Sequence, residues 1–476
     1  MVESQNAASS PQSINKIPLM IVLISGAFAA ILNQTLLATA LPHIMRDLDL
    51  NANTAQWLQS IFMLVNGIMI PVTAFLIERF TTRKLFFTAM GLFGLGTIIC
   101  AFAPGFTTLM VGRVLQASGA GIIMPLMQTI LFLIFPVERR GTAMGMFGLV
   151  IAFAPAIGPT LSGWLVENYP WRSLFYVIFP IIVIDLIVSY FILKNVTEQK
   201  NPKVDVLSII LSSLGFGGLL YGFSTAGNSG WTSYQVVISM IVGAISLYFF
   251  INRQSKLKQP ILQFKVFKHK MFTITTALGM IVFIAMIGGA VILPLLMQNM
   301  LGYTAFESGL MLLPGALLMG VMNPVMGRLF DKFGAKWLAI IGLTDLVVTT
   351  FMFTNLTAET TFTYLATVNA VRMLGVAMVM MPVTTAGLNQ LPPHLIPHGT
   401  AMNNTMRQVA GAVGTALLVT VMTNNIQPEN GIDGAVHGVN VSFIVAGVTA
   451  ILGLILSFFI KNSRPSVGSD EVKAEN

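Results

Sequence analysis

Residues 112–125 read GRVLQASGAGIIMP, and residues 371–382 read VRMLGVAMVMMP. In each, an arginine (Arg113 or Arg372) leads into an apolar run of small residues and methionines that ends in proline. An arginine inside an apolar helix is costly and rare, so its recurrence is informative. The two arginines stand 259 residues apart. AFLIERFTTRK (74–84) and GRLFDKFGAK (327–336) form a second pair, Glu78-Arg79-Phe80 matching Asp331-Lys332-Phe333 at an offset of 253. RGTAMGMFG (140–148) and HGTAMNNTM (398–406) form a third, offset by 258. Three pairs at nearly one offset describe two parallel halves.

Outside these pairs the chain is apolar almost throughout. Hydrophobic residues make up 55% of the 476 and charged residues 9%; mean hydropathy is +0.80. A soluble domain carries about 25% charged residues, so this surface is expected to be covered by lipid. A bilayer core takes roughly 20 apolar residues per helix. Candidate spans lie near 17–41, 54–77, 85–103, 107–133, 141–165 and 171–193, then 204–226 and 231–252, then 271–297, 305–329, 337–355, 361–388, 399–424 and 438–461. The reading is an all-α membrane protein of about fourteen helices. Its expected divisions are an N-terminal tail 1–16, a six-helix half 17–193, an inserted two-helix unit 204–252, a second six-helix half 271–461 and a tail 462–476. The first apolar run is too long for a signal-peptide core and is read as a retained helix. A lone Cys100 excludes an internal disulfide framework.

Charge tests the count independently. With both termini cytoplasmic and the spans alternating, Arg46 and Arg172 fall outside and Arg113, Arg372 and Arg407 within spans; the rest of the 26 basic residues face the cytoplasm. That is a positive-inside pattern, so the net charge of +8 reports topology and nucleic acid is not an expected partner. The longest basic stretch, NRQSKLKQPILQFKVFKHK (252–270), is an internal linker suited to anionic headgroups.

The motifs resemble the major facilitator superfamily, over roughly residues 17–461. The loop signature G-x-L-x-D-R-x-G-R-K is matched by Glu78, Arg79 and Arg83 in the first half and by Gly327, Leu329, Asp331, Gly334 and Lys336 in the second; Ala74, Thr81 and Thr82 depart from it. RVLQASGAG resembles the fourth-helix motif R-x-x-Q-G, and APAIGPTLSGWL the fifth-helix antiporter motif, here Pro155, Gly158, Pro159 and Gly163. ILNQTLLATALP (31–42) and GTAMNNTMRQVAGAVGTA (399–416) resemble the first and thirteenth helices of the fourteen-spanner drug:proton antiporters, in wording closest to the Gram-positive lincomycin-type efflux branch. The resemblance implies the major-facilitator fold and a multidrug exporter in the bacterial plasma membrane, working by alternating access around a cavity near the bilayer midplane. Its partners would be small-molecule drugs, protons and membrane lipids; it would act as a monomer and draw on the proton gradient without a cofactor.

An amide in hydrocarbon needs a partner, so Asn33, Gln34 and Thr35 are expected to face water or substrate. The candidate cavity residues are Asn33, Gln34, Arg113 and Gln116 in the first half, with Met124, and Gln298, Asn369 and Met373 in the second. Arg113 lies about 10 Å into its span, with Gln116 on the same face, and is read as a charge relay; the plainer alternative is a snorkelling side chain. Arg372, Arg407 and Gln408 read equally well as structural hydrogen-bonding groups. Glu78, Arg79, Arg83, Gly327, Asp331 and Lys332 are gating candidates, against solvated loop charge. Pro155 and Pro159 remove backbone donors, while Gly158 and Gly163 permit close helix approach. Related exporters usually carry Asp where this chain has Asn33, which cannot titrate, so the coupling acid is sought at Asp185, Asp345 or Glu307.

Other chemistries are poorly served. His394 and His398 have metal-like spacing, but Pro392, Pro393 and Pro397 break the helix such a pair needs. No phosphate-binding G-x-x-x-x-G-K-[ST] occurs, and no catalytic constellation is present. Two rival readings are an exporter of a dedicated metabolite, whose cavity would be tuned to one charge, and a non-transporting sensor, which would need more than the short tail SRPSVGSDEVKAEN.

Overall fold

The computed structural model describes residues 16–197, 199–200 and 204–461. Except for Lys16, the two expected tails lie outside the described residues. Fourteen helices long and apolar enough to cross a membrane are present among those residues. The first half holds α1 (Lys16–Asp47), α2 (Ala52–Arg79), α3 (Thr82–Ala101), α4 (Phe106–Ile134), α5 (Arg140–Asn168) and α6 (Ser173–Ile192). Then come α7 (Val206–Ser229) and α8 (Tyr234–Lys256). The second half holds α9 (Lys270–Asn299), α10 (Ala305–Phe333), α11 (Ala335–Met352), α12 (Phe362–Leu388), α13 (Ile396–Asn424) and α14 (Gly431–Ser457). Each expected span overlaps one helix; the largest difference is at α14, which begins at Gly431.

Side-chain caps start several helices. Asn51 accepts from the Thr54 amide at 2.8 Å, Thr81 from the Lys84 amide at 3.1 Å, and Thr304 with Glu307 forms a reciprocal capping box on α10. Between α10 and α11 there is only Gly334, at φ 80°, a backbone turn that glycine adopts without steric cost.

The two halves repeat one packing scheme. In the first, α4 packs on α2 and α3, and α1 on α5 and α6; in the second, α12 packs on α10 and α11, and α9 on α13 and α14. Small residues bring the α3–α4 and α11–α12 backbones together. A Cβ on Gly119 would strike the Ala89 carbonyl of α3, and one on Gly342 would meet the Gly375 carbonyl of α12 at 2.8 Å. Such close approach suits helices whose surroundings offer no hydrophobic drive to associate.

Two seams join the halves, α5 against α10 and α2 against α13, and they are unequal. The α5–α10 seam is the most extensive helix pairing in the molecule, whereas α7 packs on both α2 and α13 and shares theirs. At that seam Trp57 of α2 stacks on Tyr221 of α7, ring centroids 5.6 Å apart, and Trp231 donates to the Thr420 hydroxyl of α13 at 2.8 Å. The basic linker after α8 is folded onto the bundle, with Ile261, Leu262 and Val266 buried and Lys256, Lys258, Lys265, Lys268 and Lys270 exposed.

Candidate functional site

The connections after α2, α4, α6, α8 and α10, together with the helix ends that flank them, carry most of the basic residues; that end of the bundle is the basic end, and the opposite one the far end. Three polar assemblies lie between them: one within each half and one across the seams.

In the first half, Arg113 is 1% exposed and Gln116 0%. The Arg113 guanidinium donates to the Leu58 carbonyl of α2 at 3.0 Å and to Gln116 Oε1 at 3.0 Å, and lies 4.3 Å from the Phe62 ring centroid. Gln116 Nε2 donates to Thr97 of α3 at 2.9 Å and to Asn33 Oδ1 of α1 at 3.4 Å. One arginine thus ties four helices through neutral partners. Full burial removes the snorkelling alternative for Arg113 in this conformation. It also corrects the expectation for Asn33, which is 3% exposed and faces Gln116 instead of water. Gln116 satisfies the Asn33 oxygen, which lowers the cost of burying it, while Asn33 Nδ2 has no hydrogen-bond partner in the protein. Gln34 is half-buried, and the half-buried Thr35 hydroxyl returns to the Leu32 carbonyl at 2.9 Å.

The second half has a matching arginine in different company. Arg372 is 0% exposed; it donates to Thr350 of α11 at 3.4 Å and to the Ala285 carbonyl of α9. Thr350 stands to Thr97 nearly as Arg372 stands to Arg113 in the repeat. Gln116 has no counterpart, because Gly375 occupies that place, and the Asp345 carboxylate fills the room that a side chain on Gly375 would take. Asn369 and Met373 pack against Gly315 of α10. The expected common cavity is therefore divided in this conformation. Asn33, Arg113 and Gln116 meet in one half, Asn369, Met373 and Arg372 gather in the other, and among the described residues no hydrogen bond joins the two sets. Met124 is half-buried and Gln298 is exposed near the far end of α9. Arg407 of α13 reaches Thr384 at 3.5 Å and the Phe283 ring at 5.7 Å, and Gln408 lies by Gly67 and Leu220 at the α7 seam.

The third assembly crosses the seams at the basic end. The Asp331 carboxylate, at the end of α10, accepts from the Gly141 amide at 2.7 Å, the Thr142 amide at 2.8 Å and the Thr142 hydroxyl at 2.6 Å. It caps the positive N-terminus of α5. Beside it, Gly141 and Gly327 touch so closely that a Cβ on either would strike the other's carbonyl oxygen. Arg140 donates to Asn389 at 3.0 Å, and Asn404 of α13 to Gln128 of α4 at 2.6 Å. At the other seam Glu78 lies 3.3 Å from His398 Nε2 and 3.1 Å from Lys200. His398 Nδ1 accepts from the Gln263 amide at 3.4 Å, which leaves the ring proton on Nε2, towards Glu78. Among the described residues, every hydrogen bond or ion pair between the two six-helix halves belongs to this assembly. Two bases of the loop motif keep to their own half: Arg83 donates to the Tyr190 carbonyl of α6 at 2.9 Å, and Lys332 lies 5.2 Å from Phe333. Arg79 lies 5.9 Å from the Phe75 and Phe80 rings.

In the α5 motif, Gly158 and Gly163 differ. A Cβ on Gly158 would strike Thr35 of α1, whereas one on Gly163 would meet nothing within 4 Å. This corrects the expectation for Gly163: its smallness serves no close packing here. Pro159 faces Gly309 of α10, and Pro155 is exposed. Of the expected coupling acids, Asp185 is buried and its Oδ1 accepts from Ser25 of α1, Asp345 is half-buried, and Glu307 is spent in the α10 capping box. Sequence reasoning did not single out Ser25, Gln128 or Asn389; each is an isolated polar residue whose partner lies far along the chain. His398 it weighed only as a metal ligand, and among the described residues no group of three His, Cys, Asp or Glu side chains converges on a metal-sized site.

Comparison with known proteins fits this geometry. The uncharacterized MFS-type transporter YcnB of Bacillus subtilis (strain 168) is 56% identical over 97% of this chain and 98% of its own. The lincomycin resistance protein LmrB of Listeria monocytogenes is 42% identical over 97% of this chain and 100% of its own. The crystal structure of the human organic anion transporter MFSD10 (TETRAN) superposes with a TM-score of 0.70 at 13% identity, over 94% of this chain and 100% of that one, a likeness of fold alone. Residues 23–415 match the profile of the Major Facilitator Superfamily, and on that match, with relatives running the length of the chain, this multi-pass membrane protein belongs to that superfamily.

Proposed function

We propose that the protein is a proton-driven multidrug exporter of the bacterial plasma membrane, moving amphipathic drugs, lincosamides among them, outward by alternating access. It works as a monomer with one path between its halves. The observation that carries the reading is the 42% identity, over 97% of the chain, to a protein named for lincomycin resistance. The basic end faces the cytoplasm. The assembly of Asp331, Arg140, Gln128 and Glu78 with their partners then seals the inner side, and the molecule is in the outward-facing leg of its cycle. Release of that seal admits drug from the inside.

Inverted membrane vesicles test this. Uptake of lincomycin and of several unrelated amphipathic drugs should follow an acid-inside gradient and collapse with a protonophore. Uptake indifferent to the protonophore would overturn proton drive. Uptake of a single compound would replace the multidrug reading with a dedicated exporter.

A further inference from the structure

We propose that Asp345 on α11 carries the coupling proton and that Arg372 on α12 holds its carboxylate once the proton has left. The assignment rests on the proton-driven export proposed above and names the residue that performs it.

The two halves surround their arginines unequally. Arg113 is surrounded by neutral groups: Gln116, the Leu58 carbonyl and the Phe62 ring. Asn33, beyond Gln116, adds a further amide. The Cys100 thiol lies 4.0 Å from Gln116 Oε1, and among the described residues no carboxyl adjoins this arginine. In the second half the amide is gone, Gly375 stands in its place, and the Asp345 carboxylate occupies the space. The repeat has exchanged a neutral filler for an acid next to a buried arginine.

The pair is not closed. Asp345 and Arg372 form no ion pair within 4 Å, and Asp345 Oδ2 and one terminal guanidinium nitrogen of Arg372 each lack a hydrogen-bond partner in the protein. The arginine is held instead by Thr350 and Ala285. Asp345 is half-buried, but its Oδ2 is enclosed, and an enclosed carboxylate oxygen is costly as an ion unless a cation or donor compensates it. An open pair therefore suits the protonated acid, and a closed pair the ionised one. Charges on the other helices packed against α11 lie at helix ends: Glu307, Arg328, Asp331 and Lys332 on α10, and Asp433 and His437 on α14. Arg372 is the charged group beside Asp345 in mid-span.

The other acids lack this arrangement. Asp185 accepts from Ser25 and abuts Gly26, with no basic side chain among its partners, so nothing there draws the proton off. Glu307 caps a helix at the surface. In the step itself the carboxyl O–H bond of Asp345 breaks, the proton leaves to cytoplasmic water, and the carboxylate accepts a hydrogen bond from Arg372; outside, a proton from bulk water restores the acid and frees the arginine. One carboxyl moves one proton per cycle.

Purified protein in liposomes, with lincomycin as the probe, separates coupling from binding. Wild type should accumulate drug against its gradient when a proton gradient is imposed, and should also exchange labelled for unlabelled drug without one. Asp345→Asn should lose gradient-driven accumulation and keep exchange, while Asp345→Glu should recover part of the accumulation. On the wild type, a hydrophobic carbodiimide, which attacks protonated carboxyls, should modify Asp345 and remove accumulation in parallel. Uphill accumulation by Asp345→Asn overturns the assignment. So does a folded Asp345→Asn that loses exchange as well, which would make the residue structural, or a carbodiimide that leaves Asp345 untouched. If wild type exchanges drug but ignores the proton gradient, proton drive fails, and this assignment with it.

Discussion

At Asn33 a single atom separates an amide from the carboxylate usual in related exporters. The side chain is buried against Gln116, so it acts on the Arg113 network and does not meet drug directly in this conformation. Asn33→Asp is expected to leave the ranking of cationic against neutral drugs unchanged and to alter the pH dependence of transport, because a second titratable group would then adjoin a buried arginine; transport of a drug panel at several pH values checks this. Asp331 is the other residue on which one atom matters. Asp331→Asn keeps the shape but loses the charge that strengthens three hydrogen bonds to the start of α5, and should weaken the closed basic end by about 1–3 kcal/mol. Spin labels at Arg139 and His394, one on each side of the seam, should then report a larger share of long distances than in wild type.

The helix pair α7–α8 is held at the basic end by Asp205 and Arg253, whose two hydrogen bonds measure 2.8 and 3.0 Å. Those bonds hold the Asp205 carboxyl at about 2, below its usual 3.8. A carboxyl depressed in the folded state adds stability that is present above its unfolded value and lost as the pH falls through the folded one. Asp205→Asn should therefore lower the melting temperature in detergent at neutral pH, and the difference should shrink as the pH falls from about 4 towards 2. A different constraint acts between α1 and α5, where Gly158 leaves room only for Thr35. Gly158→Leu must push these helices apart, a strain of about 1–3 kcal/mol. It should abolish drug exchange while membrane insertion persists, whereas Gly163→Ala, facing open space, should be silent in the same assay.

Over the whole molecule, unequal seams set the mechanics. The α5–α10 seam runs from Gly141 and Gly327 at the basic end to Pro159 and Gly309 near the far end, while its symmetry partner is shared with α7. Polar locks between the halves lie at one end, so the halves can separate there only by breaking a few hydrogen bonds together. Orientation makes this end inner or outer, and it is open to direct measurement. Reporter fusions at the C-terminus and at Gly230, in the α7–α8 turn, should report cytoplasmic and external positions respectively; a cytoplasmic signal at Gly230 would reverse the assignment of the seal.

The helices and their repeat were legible in the chain itself, because a bilayer demands long apolar runs and internally satisfied backbone. The GRVLQASGAG and VRMLGVAMVM pair, 259 residues apart, then marked two copies of one unit. The buried arginines could be named for the same reason: charge inside such a run stands out. Their partners could not be named. Gln128 meets Asn404 across 276 residues and Arg140 meets Asn389 across 249, and a lone amide in an apolar helix gives no sign of which other amide it will face. Nor did spacing show that Asp345 would fill the place left by Gly375, since helix contacts depend on how two cylinders are rotated against each other. Local chemistry and hydropathy are written residue by residue, and so the sequence alone determined the spans and the repeat. Only the tertiary structure decided which polar groups pair, and at which end the halves are closed, because those depend on distances between segments far apart in the chain.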